Sequence, residues 1–321
     1  MSETFEPEPG GTDPDLSALM RERHQLINLA YRLLGGLSDA EDVVQETYAR
    51  WYALAPRQRD DIASPGAWLT TVASRICLDL LGSARARRER YVGEWIPEPL
   101  PDHTEWISGG RGGAPVDPAD RVTLDESVDM AFLVVLESMT PAERVAFILH
   151  DVFQYPFAEV AEIVGRTPTA CRQLASSARR RLRASRPRVT PAAQRAGVVR
   201  AFKRAWEAKD VHALVGLLAP GATATGDGGG LVPATLRPVE GAEQVARFFA
   251  DRLTTGVTLL ERTVNGQPGL VAQRDGVAIS VLAFDVADDR ITNIWAVLNP
   301  DKLRPWTAAR PHRGLLRDDD T

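Results

Sequence analysis

The sequence predicts a multidomain chain: two all-α domains, a helical bundle and a helix-turn-helix, followed by a C-terminal α+β cone. Three observations predict this order. Apolar residues recur at helical spacing up to about residue 187, strand-like runs separated by turn residues fill the last third, and a stretch rich in proline and glycine lies between the two helical parts. We place the boundaries at 1–14 (a segment of disordered composition), 15–91, 92–125 (linker), 126–187, 192–306 and 307–321 (tail).

The composition is that of a globular protein. The 321 residues are 44% hydrophobic and 25% charged, and the net charge of -5 argues against a wholly basic, DNA-coating protein. Cys77 and Cys171 lie far apart with no Cys/His cluster near them, so we expect buried thiols, no zinc or disulfide framework and no cofactor. No signal peptide and no apolar run of membrane length is found, so we expect a cytoplasmic protein that does not engage a membrane.

The segment from Thr140 to Arg183 predicts a helix-turn-helix. Thr140 and Glu143 form a capping box with proline at the first helical position, which starts one helix. Gly165 stops that region, and Thr167-Pro168 starts a second helix. Two helices joined by a glycine-containing turn are typical of DNA-binding domains.

The second of these helices has two faces. A fourfold repeat predicts that Ala170, Leu174, Ala178 and Leu182 are buried. No acidic residue occurs between Arg166 and Arg204, and arginine and glutamine can hydrogen-bond base edges in a major groove, so duplex DNA is the expected target. The alternative is an ordinary solvated helix with a basic end. The polar residues off the buried stripe are Arg172, Gln173, Ser176, Arg179, Arg180 and Arg183.

The N-terminal part contains three further helix starts. Gly35-Gly36 ends a helix that begins near Leu16, and Ser38 with Glu41 predicts a second capping box, opening a helix with an acidic outer face. That face suits a basic protein partner, or it is simply solvated. Ser64-Pro65 starts a third helix that leads into an arginine run, which suits an unpaired nucleic-acid strand; Trp68 in that helix could equally be core.

These segments resemble parts of the bacterial sigma-70 family. Residues 37–47 resemble the helix that binds the polymerase clamp, residues 67–81 the minus-ten-reading helix, and residues 140–183 the minus-thirty-five-reading domain. With only these two domains, the N-terminal half is similar to extracytoplasmic-function (ECF) sigma factors. The resemblance implies core RNA polymerase and promoter DNA as partners. It implies core contacts by Asp39, Glu41, Asp42, Gln45 and Glu46, minus-ten contacts by Trp68, Ser74, Arg75, Asp79, Arg85, Arg87 and Arg88, and minus-thirty-five contacts by Thr169, Arg172, Gln173, Ser176, Arg179 and Arg180.

The last third resembles the SnoaL-like branch of the NTF2-like fold. Helices over 198–210, 211–218 and 239–253 accompany strand-like runs at 222–224, 257–264, 269–273, 278–285 and 291–298, and we expect a curved antiparallel sheet. This fold hosts both enzymes and binding modules. Asp227 is followed by three glycines and has few polar partners in the sequence, so it predicts a tight turn rather than a general base, and we expect no enzyme activity.

Three motifs resemble the signature of one ECF subgroup, the SigJ-like group with a fused SnoaL-like domain. They are Trp95-Ile96-Pro97-Glu98-Pro99, Asp227-Gly228-Gly229-Gly230 and Asn299-Pro300-Asp301-Lys302-Leu303. Leu231 departs from the basic residue common after the glycines. The resemblance implies control in cis, without a separate anti-sigma factor. We hypothesise that the second and third motifs hold the first, which makes regulatory contacts of Trp95, Pro97, Glu98, Pro99, Asp227, Gly228, Gly229, Gly230, Asn299, Pro300, Asp301 and Lys302.

Two other functions compete with a sigma factor. One is a conventional helix-turn-helix regulator with a ligand-sensing C-terminal domain; it would need neither a clamp-binding nor a strand-opening surface. The other is a bifunctional enzyme, which would need a polar pair in the C-terminal cavity that the sequence does not indicate. A small-molecule ligand in that cavity is compatible with all three.

Overall fold

The computed structural model describes residues 14–88, 91–101, 128–185 and 190–307. Residues 1–13 of the predicted disordered N-terminus (1–14), residues 102–125 of the predicted linker (92–125) and residues 308–321 of the predicted tail (307–321) lie outside the described residues. The side chains of Arg85, Arg87 and Arg88 also lie outside them.

The N-terminal domain is a bundle of four helices. They are α1 (Pro14–Leu34), α2 (Leu37–Ala53), the short α3 (Pro56–Asp60) and α4 (Pro65–Arg88). Gly35 ends α1 with a left-handed φ of 75°, as the glycine pair predicted. Helices α1, α2 and α4 bury their apolar faces against one another.

The prediction that Ser38 and Glu41 form a capping box is wrong. Helix α2 already begins at Leu37, its N-cap is Gly36, and no side chain of the helix itself caps it. The Leu37 amide instead donates to the Glu98 carboxylate over 2.7 Å. The donor at this helix start is therefore satisfied by a residue distant in sequence, which a local pattern cannot reveal.

The second helical domain contains α5 (Met130–Glu137), α6 (Pro141–Phe147), a π-helical turn (Ile148–Val152), α7 (Phe157–Val164) and α8 (Pro168–Ser185). The Thr140–Glu143 capping box is present in full. Gly165 adopts a left-handed φ of 67°, and Thr167 caps α8 by accepting from the Ala170 amide over 3.2 Å. The predicted helix-turn-helix is confirmed.

The predicted buried stripe of α8 is partly wrong. Ala178 and Leu182 are buried as expected, but Cys171 and Ala175 complete the stripe, while Ala170 and Leu174 are only half-buried. The strict fourfold repeat drifts from the 3.6-residue period over four turns, so the packed stripe alternates steps of three and four. Both cysteines are buried, as predicted.

The C-terminal domain places helices on one six-stranded sheet. Its elements are α9 (Ala192–Glu207), α10 (Val211–Leu217), β1 (Leu218–Asp227), β2 (Val239–Glu240), α11 (Ala242–Arg252), β3 (Val257–Val264), β4 (Gln267–Arg274), β5 (Val277–Ala287), β6 (Arg290–Val297), a 3-10 turn (Pro300–Leu303) and α12 (Arg304–Thr307). The strand order is β2-β1-β6-β5-β4-β3. This is the SnoaL/NTF2-like α+β cone.

Three expectations for this domain are corrected. Strand β1 is longer than residues 222–224, and residues 239–240 form a strand before α11 instead of its first turn. The sheet is mixed, because β1 runs parallel to β6. The chain between β1 and β6 contains the other strands and α11, and so long a connection permits parallel pairing of the two strands. Strands β3 to β6 follow one another as hairpins and pair antiparallel.

The two helical domains share one hydrophobic core, which extends from Leu26 in α1 to Leu182 in α8. Helix α4 contacts both α6 and α7. Helix α5 joins this core to the sheet: Phe132 and Leu133 face the helical core, while Met130 packs with Val264 and Trp295. Among the described residues, no helix is both long and apolar enough to cross a membrane.

Candidate functional site: the clamped linker and the DNA-facing helices

Residues 91–101 of the linker lie between the helical domains and the sheet. Residues 96–100 are all buried, which is unusual for a connecting segment. Ile96 belongs to a hydrophobic cluster with residues of β5 and β6, whereas Leu100 belongs to the helical core. The linker therefore contributes side chains to two cores at once.

Asp227, at the end of β1, holds this linker through both carboxylate oxygens. Oδ1 accepts from the Tyr91 hydroxyl over 2.7 Å and from the Gly229 amide over 3.0 Å. Oδ2 accepts from the Ile96 amide over 3.1 Å and from Lys302 Nζ over 2.7 Å. Asp227 is only 1% exposed, so these four donors replace water around a buried charge.

Lys302 and Asn299 close the arrangement from the C-terminal side. Lys302 Nζ donates to the Ile96 carbonyl and lies 4.1 Å from the centroid of the Trp95 ring, a cation–π contact. Asn299 Nδ2 donates to the Tyr91 hydroxyl over 2.9 Å. We call the side chains of Tyr91, Asp227, Asn299 and Lys302 the Asp227 clamp.

Asn265 forms a second attachment at the tip of the β3–β4 hairpin. Its amide donates to the Leu100 carbonyl over 2.9 Å, and its Oδ1 accepts from the Leu100 amide over 3.0 Å. Its Nδ2 donates to the Tyr31 hydroxyl over 2.9 Å, and that hydroxyl donates to the Glu98 carbonyl over 2.7 Å. A fully buried polar chain thus joins β3, the linker and α1.

Glu98 attaches the linker to the N-terminal bundle. Its amide donates to the Gly35 carbonyl over 2.7 Å, and its carboxylate accepts from the Leu37 amide. Burial raises the pKa of Glu98 to about 7, partly offset by that amide and by the positive charge of Lys302. Trp95 packs so closely on Gly35 that a β-carbon there would lie 2.7 Å from the indole ring.

The structure brings most of the predicted regulatory residues together around the linker. Pro97 is buried and Pro99 accepts from Trp306 Nε1 over 2.7 Å. A β-carbon on Gly228 would meet the Val232 carbonyl at 2.0 Å, so the glycine permits the tight turn. Asp301 is exposed, away from the linker, beside Arg304. The remaining predicted residues, Gly229, Gly230 and Pro300, are part of the two turns that carry Asp227, Asn299 and Lys302.

Sequence reasoning missed four residues of this site: Tyr31, Tyr91, Asn265 and Trp306. Asn265-Gly266 is a recognisable hairpin signal, with φ of 51° and 73°, but its partners lie 165 and 234 positions away. No local pattern identifies such partners.

Helix α8 presents most of its predicted DNA-contacting residues to solvent. Thr169, Gln173, Ser176 and Arg180 are exposed, as is Arg172, whose guanidinium lies over the Phe157 ring. Arg179 is half-buried and paired with Asp151 over 2.6 Å. Arg179 is thus already engaged within the protein.

Helix α4 presents fewer of its predicted residues. Ser74 is fully buried, so in this arrangement its hydroxyl is not available to DNA, contrary to the expectation from sequence. Arg75 is exposed, but its Nη2 donates to the Glu162 carbonyl of α7 over 3.1 Å. Trp68 is half-buried against Trp51, and Asp79 is exposed. The contact of Arg75 comes from packing of the second helical domain onto α4, whereas Trp68 packs within the N-terminal bundle.

The acidic face of α2 is accessible. Its buried side is formed by Ala40, Val43, Val44 and Thr47. Glu46 pairs with Arg50 one turn later, an exposed contact of little energetic weight. The five predicted core-binding residues, Asp39, Glu41, Asp42, Gln45 and Glu46, are all exposed.

Comparison with known proteins accounts for this combination of helices. Sigma-70 region 2 matches residues 19–87, and Sigma-70, region 4 matches residues 129–182. The ECF RNA polymerase sigma factor SigJ of Mycobacterium tuberculosis is 39% identical over 88% of this chain and 90% of its own length. This chain belongs to the ECF sigma factors. The Probable ECF RNA polymerase sigma factor SigI of the same species is 37% identical over 92% of this chain and 97% of its own length.

The likeness to these sigma factors includes the C-terminal domain. The crystal structure of the M. tuberculosis extracytoplasmic function sigma factor SigJ covers 90% of this chain and 98% of its own, with a TM-score of 0.68 and 36% identity. This ECF sigma factor is therefore a transcription initiation factor with a fused SnoaL-like domain. Helices α1 to α4 form its region 2, and α5 to α8 its region 4.

Proposed function

We propose that this sigma factor is controlled in cis, and that the described arrangement is a closed state in which regions 2 and 4 cannot read one promoter together. The fused domain holds the linker through the Asp227 clamp and Asn265, and so favours the closed state. In this role the domain replaces a separate anti-sigma factor in the cytoplasm.

One observation carries the proposal: α4 of region 2 packs directly against α7 of region 4, with Arg75 bonded to the Glu162 carbonyl. The minus-ten and minus-thirty-five elements are about 25 base pairs apart, which is roughly 85 Å of B-form DNA. Touching domains cannot span that distance. Promoter recognition therefore requires region 4 to leave α4, which would also uncover Ser74 and free Arg75.

The site residues have these proposed roles. The exposed acidic face of α2 binds core polymerase, and α4 with the arginines after it binds the opened strand. The exposed side chains of α8 bind the minus-thirty-five duplex. The Asp227 clamp sets the population of the closed state, because anything that stabilises one of two states shifts their equilibrium.

An enzymatic role for the C-terminal domain has less support. Asp227 is the buried acid of this domain that best resembles a general base, but both of its oxygens are bonded to the linker, the Gly229 amide and Lys302. A group so occupied has no free lone pair directed at a substrate. We propose a regulatory domain without catalytic activity.

The test is run-off transcription with core polymerase and a reversible lock on the closed state. Arg75→Cys and Glu162→Cys are joined by a short, reducible bismaleimide; Cys77 and Cys171 are buried and do not compete for it. We expect transcription to be lost on cross-linking and restored on reduction. The matched control cross-links Arg200→Cys and Glu261→Cys, an exposed pair within the C-terminal domain, which leaves the helical domains free to separate.

Full transcription by the locked protein would overturn the closed-state proposal. Silence of the native chain on promoters that it occupies would instead favour a conventional DNA-binding regulator.

A further inference from the structure

The C-terminal domain encloses a cavity of about 270 Å³ between its helices and the sheet. The cavity wall is mostly apolar, with Trp206, Phe248, Phe249, Leu253, Ile279 and Leu282 among its residues. Liquid water occupies about 30 Å³ per molecule, so this space suits an organic molecule of roughly ten non-hydrogen atoms. Apolar cavities with a few polar groups are the usual sites of small ligands.

The charged side chains that line the cavity, among the described residues, are Arg252 and Arg274. Arg252 lies over the Phe248 ring at 3.8 Å, and Arg274 donates to the Thr254 hydroxyl over 3.0 Å. Neither guanidinium forms an ion pair within the parts of the chain that the structure describes. Two unpaired cations beside an apolar wall complement an anion with an apolar body.

A β-bulge adds one polar side chain, that of Ser280, to the cavity wall. The register of β4 with β5 shifts after Ala272, which pairs with Ser280, so that both Ile279 and Ser280 line the cavity. Bulges are common where a strand must redirect a side chain toward a site. No acidic residue and no histidine is found among the described lining residues, so the wall is suited to binding rather than to acid–base chemistry.

The cavity wall continues directly into the Asp227 clamp. Thr225 and Gly226 line the cavity, and the next residue is Asp227; Leu298 lines it, and the next residue is Asn299. The Leu298 amide donates to the Asp227 carbonyl over 2.7 Å. A molecule in the cavity therefore contacts the backbone that sets the positions of two clamp residues, Asp227 and Asn299.

We propose that this cavity binds a small amphipathic carboxylate, with the apolar body against the sheet and the carboxylate at Arg252 and Arg274, and that its binding changes the hold of the clamp on the linker. The second part of this proposal, the effect of the carboxylate on the clamp, rests on the proposed function. Coupling is reciprocal, so opening of the linker must change the affinity for the carboxylate by the same factor.

The binding test is titration calorimetry of the full chain with octanoate, 1-octanol and octylamine. We expect one saturable site per chain for octanoate, weaker binding of the alcohol and none of the amine. Arg252→Gln/Arg274→Gln should weaken octanoate binding roughly tenfold. Arg247→Gln/Arg262→Gln removes the same charge from residues outside the cavity lining and should leave the affinity unchanged. Equal loss in both double variants, absence of saturable octanoate binding, or preference for the amine would overturn the site.

The coupling test measures the octanoate affinity of Asp227→Ala and the distance between labels on Arg50→Cys and Val277→Cys. We expect octanoate to change the label distance in the otherwise native chain, and Asp227→Ala to change octanoate affinity. Binding without either effect would overturn the coupling and leave the site intact. If the cross-linked protein transcribes fully while octanoate still binds, the closed-state proposal is overturned and the proposed binding site is not.

Discussion

Lys302 and Asp227 form an ion pair 2.7 Å long whose two side chains are 12% and 0% exposed, and both groups also bind the Ile96 peptide. The pair thus joins the end of β1, the C-terminal 3-10 turn and the linker at one point. Because the charges are buried, loss of one partner removes the counter-charge that stabilises the other.

We expect Asp227→Ala to lower the free energy of unfolding by about 3–5 kcal/mol, because it removes the carboxylate that forms the buried ion pair with Lys302. The double variant Asp227→Ala/Lys302→Met should cost less than the sum of the single changes. Urea unfolding measures all three. Asp301→Ala is the control, since its ion pair with Arg304 is exposed and its loss should fall within about 0.5 kcal/mol. If the loss of unfolding free energy in the double variant equals the sum of the two single losses, the result would contradict an ion pair between Asp227 and Lys302.

Gly35→Ala should destabilise the chain by about 1–3 kcal/mol or more. The position has a φ of 75°, and the added methyl group would meet the Trp95 ring at 2.7 Å. Gly82→Ala in α4 is the matched control: nothing lies within 4 Å of the added carbon, and alanine in a helix interior stabilises by about 0.5–1 kcal/mol. Thermal unfolding of both variants measures these changes. Equal changes in stability for Gly35→Ala and Gly82→Ala would contradict the close packing of Trp95 on Gly35.

Stability should fall as pH rises from about 4.5 to about 7, through Glu98. Its folded pKa is raised to about 7 from 4.5, so in this window the folded state holds a proton that the unfolded state has lost. The contribution is complete below the lower pKa, is lost above the upper one, and amounts to at most roughly 3 kcal/mol. Urea unfolding of the native chain and Glu98→Gln at pH 5 and pH 8 measures it. The native chain and Glu98→Gln share every other titratable group, so the difference in unfolding free energy between them should change between pH 5 and pH 8 through Glu98 alone; a constant difference would contradict the assignment.

Two substitutions on α8 should weaken DNA binding in different ways. Gln173→Ala should cost about 1–3 kcal/mol on the preferred sequence and relax specificity, if Gln173 contacts a base edge. Arg180→Ala should weaken binding to all sequences and reduce the salt dependence by about one phosphate contact. Anisotropy titrations over a range of salt measure both, with Arg200→Ala of α9 as the control. Equal losses on specific and random duplexes for Gln173→Ala would contradict base recognition.

Local signals in the sequence predicted local structure well. Thr140, Glu143 and Gly165 act through neighbours a few residues away, and the helix starts and stops that they predict are present. Residues 96–99 of the linker motif are buried between the domains, and Trp95 is half-buried. Ser74 was predicted to lie at a DNA-binding surface because its helix has the right composition, whereas the tertiary structure buries it.

The partners of the linker could be expected only in part. The hypothesis that the motifs near Asp227 and Asn299 hold the linker agrees with the observed contacts. The participation of Tyr31 and Asn265 depends on the meeting of a helix and a hairpin tip 234 positions apart, which follows from the tertiary fold alone.

The sequence distance between the linker and its clamp has a consequence for synthesis of the chain. Ile96 precedes Asp227 by 131 residues and Lys302 by 206. At about 5–20 residues per second, a ribosome adds the last of these partners roughly 10–40 seconds after the linker. In the later part of that interval, after α8 has been made, both DNA-binding regions are present on the nascent chain without the restraint that the finished protein has. Under the proposed control in cis, the restraint is acquired only at the end of translation, and we expect a chain truncated before Asp227 never to acquire it.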